Sequence, residues 1–301
     1  MARAENAAGA TAARATVAAA LRTGTELLRR RGIDSARLDA EVLLAAALDC
    51  RREDLYARPE RVLEAAEAGR YREWLWRRAG REPVAYIVGG REFWSLEFAV
   101  GPGVFIPRPE TELLVELALK LLPGVGERGR ALRVLDLCAG SGAIGVSLAR
   151  ERADIELWGV DLSAEAVKSA RQNAMRHGVS ARSRFVQGDL FSPVAAKGRF
   201  FDALVANPPY VRRAELERLP PEVRNWEPRL ALDGGADGLD FYRRIVREAP
   251  EHVQDGGFVL VEIGAELARA VCELFAAAGY GAPAVYADYA GSARAVSVAV
   301  G

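Results

Sequence analysis

The sequence predicts a doubly wound α/β domain on a mostly parallel seven-stranded sheet, with a small all-helical domain before it. Three observations carry this. Short apolar runs at residues 134–137, 155–160, 183–188, 201–206 and 257–263 alternate with helical stretches, as parallel strands with crossover helices do. Successive runs lead into Asp136, Asp161, Asp189 and Asn207, and open α/β sheets bind ligands at the carboxyl ends of their strands. Before residue 89, apolar residues follow the helical period alone.

In chain order, residues 1–14 are Ala-rich, carry Arg3, Glu5 and Arg14, and lack an apolar signal core, so a short disordered tail is expected. Residues 15–88 place Val17, Leu21, Leu27, Leu28, Leu38, Val42, Leu43, Ala46, Leu55, Val62, Leu63, Trp74 and Leu75 at helical spacing. Arg70, Arg72, Arg77, Arg78 and Arg81 form a basic stretch interleaved with Trp74 and Trp76. A solvated helix face over core tryptophans accounts for it; a docking surface for a protein or ribonucleoprotein is the alternative. Residues 89–106 read as a β-hairpin linker, opened by Gly89-Gly90 and closed by Gly101-Pro102-Gly103. Pro107 and Pro109 end it, a helix spans 110–122, and residues 107–301 make the ligand-binding domain. Residues 284–288 and 295–300 form a closing antiparallel pair around Gly291.

The first sheet strand runs into Cys138-Ala139-Gly140-Ser141-Gly142, and a helix follows from about Ala143. Glycines let the backbone approach a ligand, and the helix start presents free N–H groups. Gly140, Gly142 and Gly145 satisfy G-x-G-x-x-G, with Asp161 following 21 residues after Gly140. A nicotinamide or flavin enzyme therefore stands as an alternative. Against it, Asp136 would repel a pyrophosphate but suits a ligand carrying an ammonium and a sulfonium. Asp161 can accept both hydroxyls of a ribose, Asp189 can accept from an exocyclic amine, and Leu190 or Phe191 can wall a purine ring. Each acid alone could be a helix N-cap. Their succession matches a nucleoside laid across the top of the sheet.

Asn207-Pro208-Pro209-Tyr210 follows the fourth run. Two prolines cannot continue a central strand and they stiffen the loop. The Asn207 side-chain carbonyl and the Pro208 backbone carbonyl are adjacent acceptors that can hold both hydrogens of a planar NH2 group, and Tyr210 offers a flat face.

Composition narrows the field. Lys plus Arg and Asp plus Glu balance at 41 each, so no overall field recruits nucleic acid. Cys50, Cys138 and Cys272 are widely spaced and suit reduced thiols; only His177 and His252 are present, so no metal site is expected. No apolar stretch approaches membrane-spanning length.

These residues resemble the S-adenosylmethionine-dependent class I methyltransferases, Rossmann-like enzymes acting here on amino or amide nitrogen. The carriers are Asp136, residues 138–142, Asp161, Asp189 and the Asn-Pro-Pro-Tyr segment. More restrictive are Glu82-Pro83-Val84-Ala85-Tyr86-Ile87, Glu92-Phe93-Trp94, Phe105-Ile106-Pro107-Arg108-Pro109-Glu110-Thr111, Glu227-Pro228-Arg229-Leu230-Ala231-Leu232 and Asp237-Gly238-Leu239-Asp240-Phe241-Tyr242. From about Val17 to the C-terminus the chain is similar to the peptide chain release factor glutamine N5-methyltransferases. The resemblance implies S-adenosyl-L-methionine as methyl donor, S-adenosyl-L-homocysteine as product, and the Gly-Gly-Gln glutamine of class 1 release factors as acceptor. It further implies a cytoplasmic monomer in translation termination, docking the release factor through its helical domain, with no direct nucleic-acid substrate and no membrane partner. Asp136, Cys138, Ala139, Gly140, Ser141, Gly142, Asp161, Asp189, Leu190 and Asn207 would then bind the cofactor. Asn207, Pro208 and Tyr210 would be catalytic, with Pro209 and Phe105 completing the substrate clamp. Members of this family usually carry Gly-Thr where this chain has Cys138-Ala139; Cys138 is expected as the last strand residue, away from the left-handed region. The rivals are a glutamine methylase of a ribosomal protein, an N6-adenine nucleic-acid methylase sharing the tetrapeptide, and a non-enzymatic adenosylmethionine-binding module.

Overall fold

The helical pattern gives way to the strand pattern where the glycine pair stands. In a computed structural model, which describes residues 15–301, the chain divides into two compact units, one ending at Val88 and one beginning at Gly89. The tail expected at residues 1–14 lies outside the described residues.

The first unit consists of α1 (Val17–Arg30), α2 (Ala36–Ala47), α3 (Arg52–Ala57), α4 (Ala65–Ala79) and α5 (Val84–Val88). The Thr16 hydroxyl caps α1 by accepting from the Ala19 N–H at 3.3 Å, which satisfies one of the free amides of a helix start. Val17, Leu21, Leu28, Leu43, Leu44, Leu55, Tyr71 and Leu75 fill the core. Leu38 and Val62, expected inside, are exposed. In α2 apolar residues fall on several faces, so the period does not choose one, and Ala40, Leu43, Leu44 and Ala47 turn inward instead. Val62 is held by a backbone bridge to Thr16 rather than by its side chain.

Three arginines of the basic stretch are internal fasteners. Arg77 forms a two-pronged pair with Glu82 at 2.8 and 2.6 Å. Arg78 is buried and donates to Asp39 at 2.6 Å. Arg81 donates to the carbonyls of Arg31 and Gly32, both at 2.8 Å, and so satisfies carbonyls left over at the end of α1. The Arg31 guanidinium in turn lies 5.7 Å from the ring of the exposed Trp76. Arg70 and Arg72 alone face solvent.

In the second unit the hairpin comes first, β1 (Gly90–Phe93) against β2 (Leu96–Ala99), turning through Trp94 and Ser95. Both turn residues have positive φ, 52° and 55°, the backbone that a two-residue hairpin turn of primed type requires. Phe93 and Phe98 are buried in the sheet unit's core, so the hairpin belongs to that unit.

The large sheet comprises β3 (Leu132–Leu137), β4 (Ile155–Asp161), β5 (Ser183–Gln187), β6 (Phe201–Ala206), β7 (Val253–Glu262), β8 (Ala284–Ala287) and β9 (Ala293–Ala299), in the order β5-β4-β3-β6-β7-β9-β8. Strands β3 to β7 run parallel, and β9 is antiparallel to both β7 and β8. β7 starts at Val253 rather than 257, because a register shift opposite Phe201 and Ala203 lets pairing continue past Gly256 and Gly257. The helices are α6 (Glu112–Leu121), α7 (Ala143–Glu151), α8 (Ala164–Arg176), the short α9 (Pro221–Arg224), α10 (Asp240–Glu248) and α11 (Ala268–Ala277). They cover the sheet in two apolar layers, one including α6, α7 and α8 and one including α10 and α11. β6 is buried along its whole length, as the central position of a doubly wound sheet demands. The chain passes from β3 out to β5 and returns at β6, so the strand order reverses beside β3. A crevice opens at such a switch point.

Candidate active site

The loop leaving β3 is shaped by its backbone. Cys138 stands just past the strand with φ +58°, and Gly140 and Gly142 follow at +56° and +79°. This corrects the expectation for Cys138: it is not a strand residue, and its side chain occupies a left-handed position that costs an L-residue free energy. Gly142 is the N-cap of α7. A Cβ there would stand 3.1 Å from the Ala170 side chain, so it serves packing of α7 on α8 and is not in the cavity wall. Ser141 and Ala139 do line it. The fully buried Asn173 donates to the Ser141 carbonyl at 2.9 Å and accepts from the Ala99 N–H at 2.8 Å, tying the loop to the hairpin.

Two acids brace this loop. The Asp161 carboxylate, at the end of β4, accepts from the N–H of Gly140 at 2.8 Å and of Ser163 at 2.9 Å, and it lines the cavity. Asp136 was expected at the ligand; it is fully buried, lies behind the loop and does not contribute to the wall. Its Oδ2 accepts from the Gly145 N–H at 3.0 Å, while Oδ1 has no hydrogen-bond partner among the described residues. Burial pushes its carboxyl up to about 7, against the Gly145 bond, and the nearby Asp161 adds to the rise. Asp161 is also raised by burial, opposed by backbone bonds from Ser163 and Gly140. Two desolvated acids, Asp161 in the wall and Asp136 behind it, favour a positively charged ligand in the cavity.

After β5, Asp189 is at the wall but exposed, and Arg244 of α10 pairs with it at 2.9 Å. Leu190 is buried and lines the cavity with φ +48°. Phe191 does not; it is buried and stacks on His252 at 4.7 Å.

Asn207, Pro208, Pro209 and Tyr210 all line the same cavity. The Asn207 Nδ2 donates to Thr111 Oγ1 at 3.3 Å, and Thr111 Oγ1 donates to Glu262 Oε2 at 2.6 Å. Neither the Asn207 Oδ1 nor the Pro208 carbonyl receives a hydrogen bond among the described residues. The loop is held from behind by the segment after Asp233. A Cβ on Gly234 would lie 2.6 Å from the Tyr210 Cα, so only glycine permits that approach. The Gly234 N–H donates to the Val211 carbonyl at 2.8 Å. Burial pushes the Tyr210 phenol up to about 12, so it is a neutral face and hydroxyl at ordinary pH.

One side of the cleft is closed by Phe105 and Pro107, another by Pro228, Leu230 and Leu232. Glu227 joins them: buried, it accepts from the Ile106 N–H at 3.2 Å and pairs with Arg108, whose guanidinium sits 4.7 Å from the Phe105 ring. The empty space between these walls, open solvent at the mouth included, is about 1130 Å³. Thr111, Glu227, Glu262 and Asn173 were not assigned roles from sequence. A lone acid in an otherwise apolar strand was the available signal for Glu262, since buried acids are paired.

The crystal structure of a methyltransferase from Pyrococcus furiosus has this fold, with TM-score 0.50 and 19% identity, covering 68% of this chain and 89% of that one. Two family models match, the PrmC N-terminal domain over residues 19–89 and the methyltransferase small domain over residues 97–219. Fold, cleft and domain together define a methyltransferase of the doubly wound α/β class. The release factor glutamine methyltransferase of Geobacter sulfurreducens is 45% identical over 253 residues, 84% of this chain and 86% of that one. Its counterpart from Moorella thermoacetica is 42% identical over 280 residues, 93% and 96% of the two chains. The chain belongs to the release factor glutamine methyltransferase family.

Proposed function

We propose that this enzyme moves a methyl group from S-adenosyl-L-methionine to the side-chain amide nitrogen of the Gly-Gly-Gln glutamine of class 1 release factors. The observation that carries this reading is the pair of unbonded acceptors, Asn207 Oδ1 and the Pro208 carbonyl, in a cleft with the desolvated Asp161 in its wall and Asp136 behind it. The donor set suits the methyl donor: Asp161 has oxygens aimed by two backbone N–H groups, and the orphaned Asp136 Oδ1 favours a cation nearby. Asp161, Ala139, Gly140, Ser141 and Leu190 would hold the nucleoside and the amino-acid end, with Asp189 reaching an exocyclic amine from its pairing with Arg244. S-adenosylmethionine supplies an electrophilic methyl on a sulfonium.

The protein's task is the nucleophile. A carboxamide nitrogen is weak because its lone pair is delocalised into the carbonyl. Accepting both N–H bonds at Asn207 and Pro208 pins the nitrogen, raises its electron density and favours it as it turns cationic. Tyr210, Pro209 and Phe105 hold the flat group in place. The proton leaves after transfer, so no general base is needed at the nitrogen. The helical unit supplies remote binding energy for the release factor, in a cytoplasmic enzyme acting as a monomer.

Label transfer tests this reading, with the full-length protein offered intact release factor, ribosomal proteins and duplex DNA alongside labelled cofactor. Label is expected on the release factor alone. Label on adenine or on a ribosomal protein, with none on the release factor, would overturn it.

A further inference from the structure

A carboxamide is nearly symmetric in shape, so an asparagine can present either its oxygen or its NH2 group to a ligand. The two choices are opposite here, because an NH2 facing a substrate NH2 would repel it. Something must select the oxygen, and the selection is visible in two residues bonded in turn to the Asn207 amide, Thr111 and Glu262. Thr111 is 4% exposed and Glu262 is 2% exposed, so both are buried polar groups. Glu262 sits at the last position of β7, the strand next to β6, and Thr111 ends the 3-10 turn before α6. The single hydroxyl hydrogen of Thr111 goes to Glu262 Oε2 at 2.6 Å. With that hydrogen committed to an ionised Glu262, Thr111 Oγ1 can only accept, and it accepts from Asn207 Nδ2 at 3.3 Å.

We propose that Thr111 and Glu262 are positioning residues that set which end of the Asn207 carboxamide faces the cleft. This rests on the reading of Asn207 as the acceptor of the substrate's amide hydrogens. Glu262 works as the fixed end because it is held on both sides. The Tyr242 hydroxyl donates to its backbone carbonyl at 2.7 Å, locking the strand end, and the Arg294 charge on β9 favours the carboxylate. Burial opposes that charge and brings the carboxyl to about 7, with Glu110 adding to the rise and the Thr111 and Asn207 bonds countering it. A buried carboxylate is costly unless it serves as acceptor to committed donors, and Thr111 is such a donor.

Replacement separates this role from simple packing. Thr111→Val keeps shape and removes both the hydroxyl hydrogen and the acceptor; Thr111→Ser keeps both. Glu262→Gln can donate to Thr111, which redirects the hydroxyl hydrogen toward Asn207 and favours the reversed amide. The full-length protein, labelled with nitrogen-15 at asparagine side chains, is followed for release-factor methylation, cofactor affinity and the Asn207 NH2 resonances. Asn207→Ala assigns those resonances. In Thr111→Val and Glu262→Gln, kcat is expected to fall about tenfold, less than the roughly hundredfold cost of removing the preorganised contact itself. Cofactor affinity should hold, and the Asn207 resonances should move. Thr111→Ser should restore both kcat and the resonances. Wild-type kcat in Thr111→Val, or unmoved Asn207 resonances, would overturn the proposal. Should the wild-type protein fail to methylate release factor, the substrate reading falls, while the resonances still decide the orientation of the amide.

Discussion

Two loops leave neighbouring parallel strands and meet in one cleft, yet they are built by opposite means. The loop after β3 takes its shape from three alternate left-handed positions, Cys138, Gly140 and Gly142, with Asp161 accepting from the Gly140 N–H and Asp136 from the Gly145 N–H of α7. The loop after β6 takes its shape from two prolines, and a hydroxyl and an acid hold its Asn207 side chain. The first offers a bent backbone over negative charge, suited to binding a cationic nucleoside. The second offers a rigid pair of acceptors, suited to steering a nitrogen. Binding and turnover should therefore be separable by mutation.

The largest effect is expected at the second loop. Asn207→Ala should lower kcat by about a hundredfold, the scale for removing one preorganised hydrogen-bonding group, and leave cofactor affinity unchanged by calorimetry. Near-wild-type turnover would erase the distinction between the loops. The first loop should show the reverse. Asp161→Ala strips the acceptor from the Gly140 and Ser163 N–H groups and from the ligand's hydroxyls, so cofactor affinity should weaken by about 1–3 kcal/mol. If that substitution left affinity intact and lowered kcat alone, the assignment of labour would be inverted.

How far these roles were legible in the sequence follows the same division. The strand ends, the Asn-Pro-Pro-Tyr loop and the β3 loop were readable because proline, glycine and acids at strand termini mark local geometry. The hairpin was readable from its flanking glycines, although its turn is made by Trp94 and Ser95 at positive φ, which no local preference announces. Thr111 and Glu262 were not assigned, because they lie 151 residues apart and meet only through sheet order. Asp136 was misplaced for a related reason. A strand-end acid can point at the ligand or support the loop from behind, and spacing alone does not distinguish them. Leu38 and Val62 were placed inside because α2 is apolar on several faces and a bridge residue mimics the helical period.

The supporting role of Asp136 has a pH signature. Its carboxyl is raised by burial to about 7, above the unfolded value of about 4, so the folded state holds the proton more tightly. Its stabilising contribution is complete below about pH 4 and is lost as pH rises through about 7. Asp136→Asn should accordingly gain on wild type between pH 5 and 8, by about 2–3 kcal/mol, since about two pH units of that rise fall in the range and each carries about 1.4 kcal/mol. His252, whose ring is held below its ordinary value by burial, pulls the other way, so the difference between the two ligand-free proteins by calorimetry is the readout. A constant difference across that range would contradict the burial of a protonatable Asp136.

The smallest effect is expected from Cys138→Gly. Relief of a left-handed L-residue costs about 1–2 kcal/mol less, offset by the greater chain entropy of glycine at about 0.5–1 kcal/mol. A net gain of about 0.5 kcal/mol, or roughly 1–2 °C in Tm, should come with unchanged turnover. A clear loss of stability would mean that the thiol packs in a way that outweighs its backbone strain.

The central claim, that the acceptor pair selects a carboxamide nitrogen, is tested most directly by where the methyl lands. Fragmentation mass spectrometry of the Gly-Gly-Gln peptide, after intact release factor has been incubated with the full-length protein and labelled cofactor, locates it. The prediction is a single methyl on the glutamine side-chain nitrogen. A methyl on a carboxylate, an arginine or a backbone atom instead would contradict the assignment of Asn207 and Pro208.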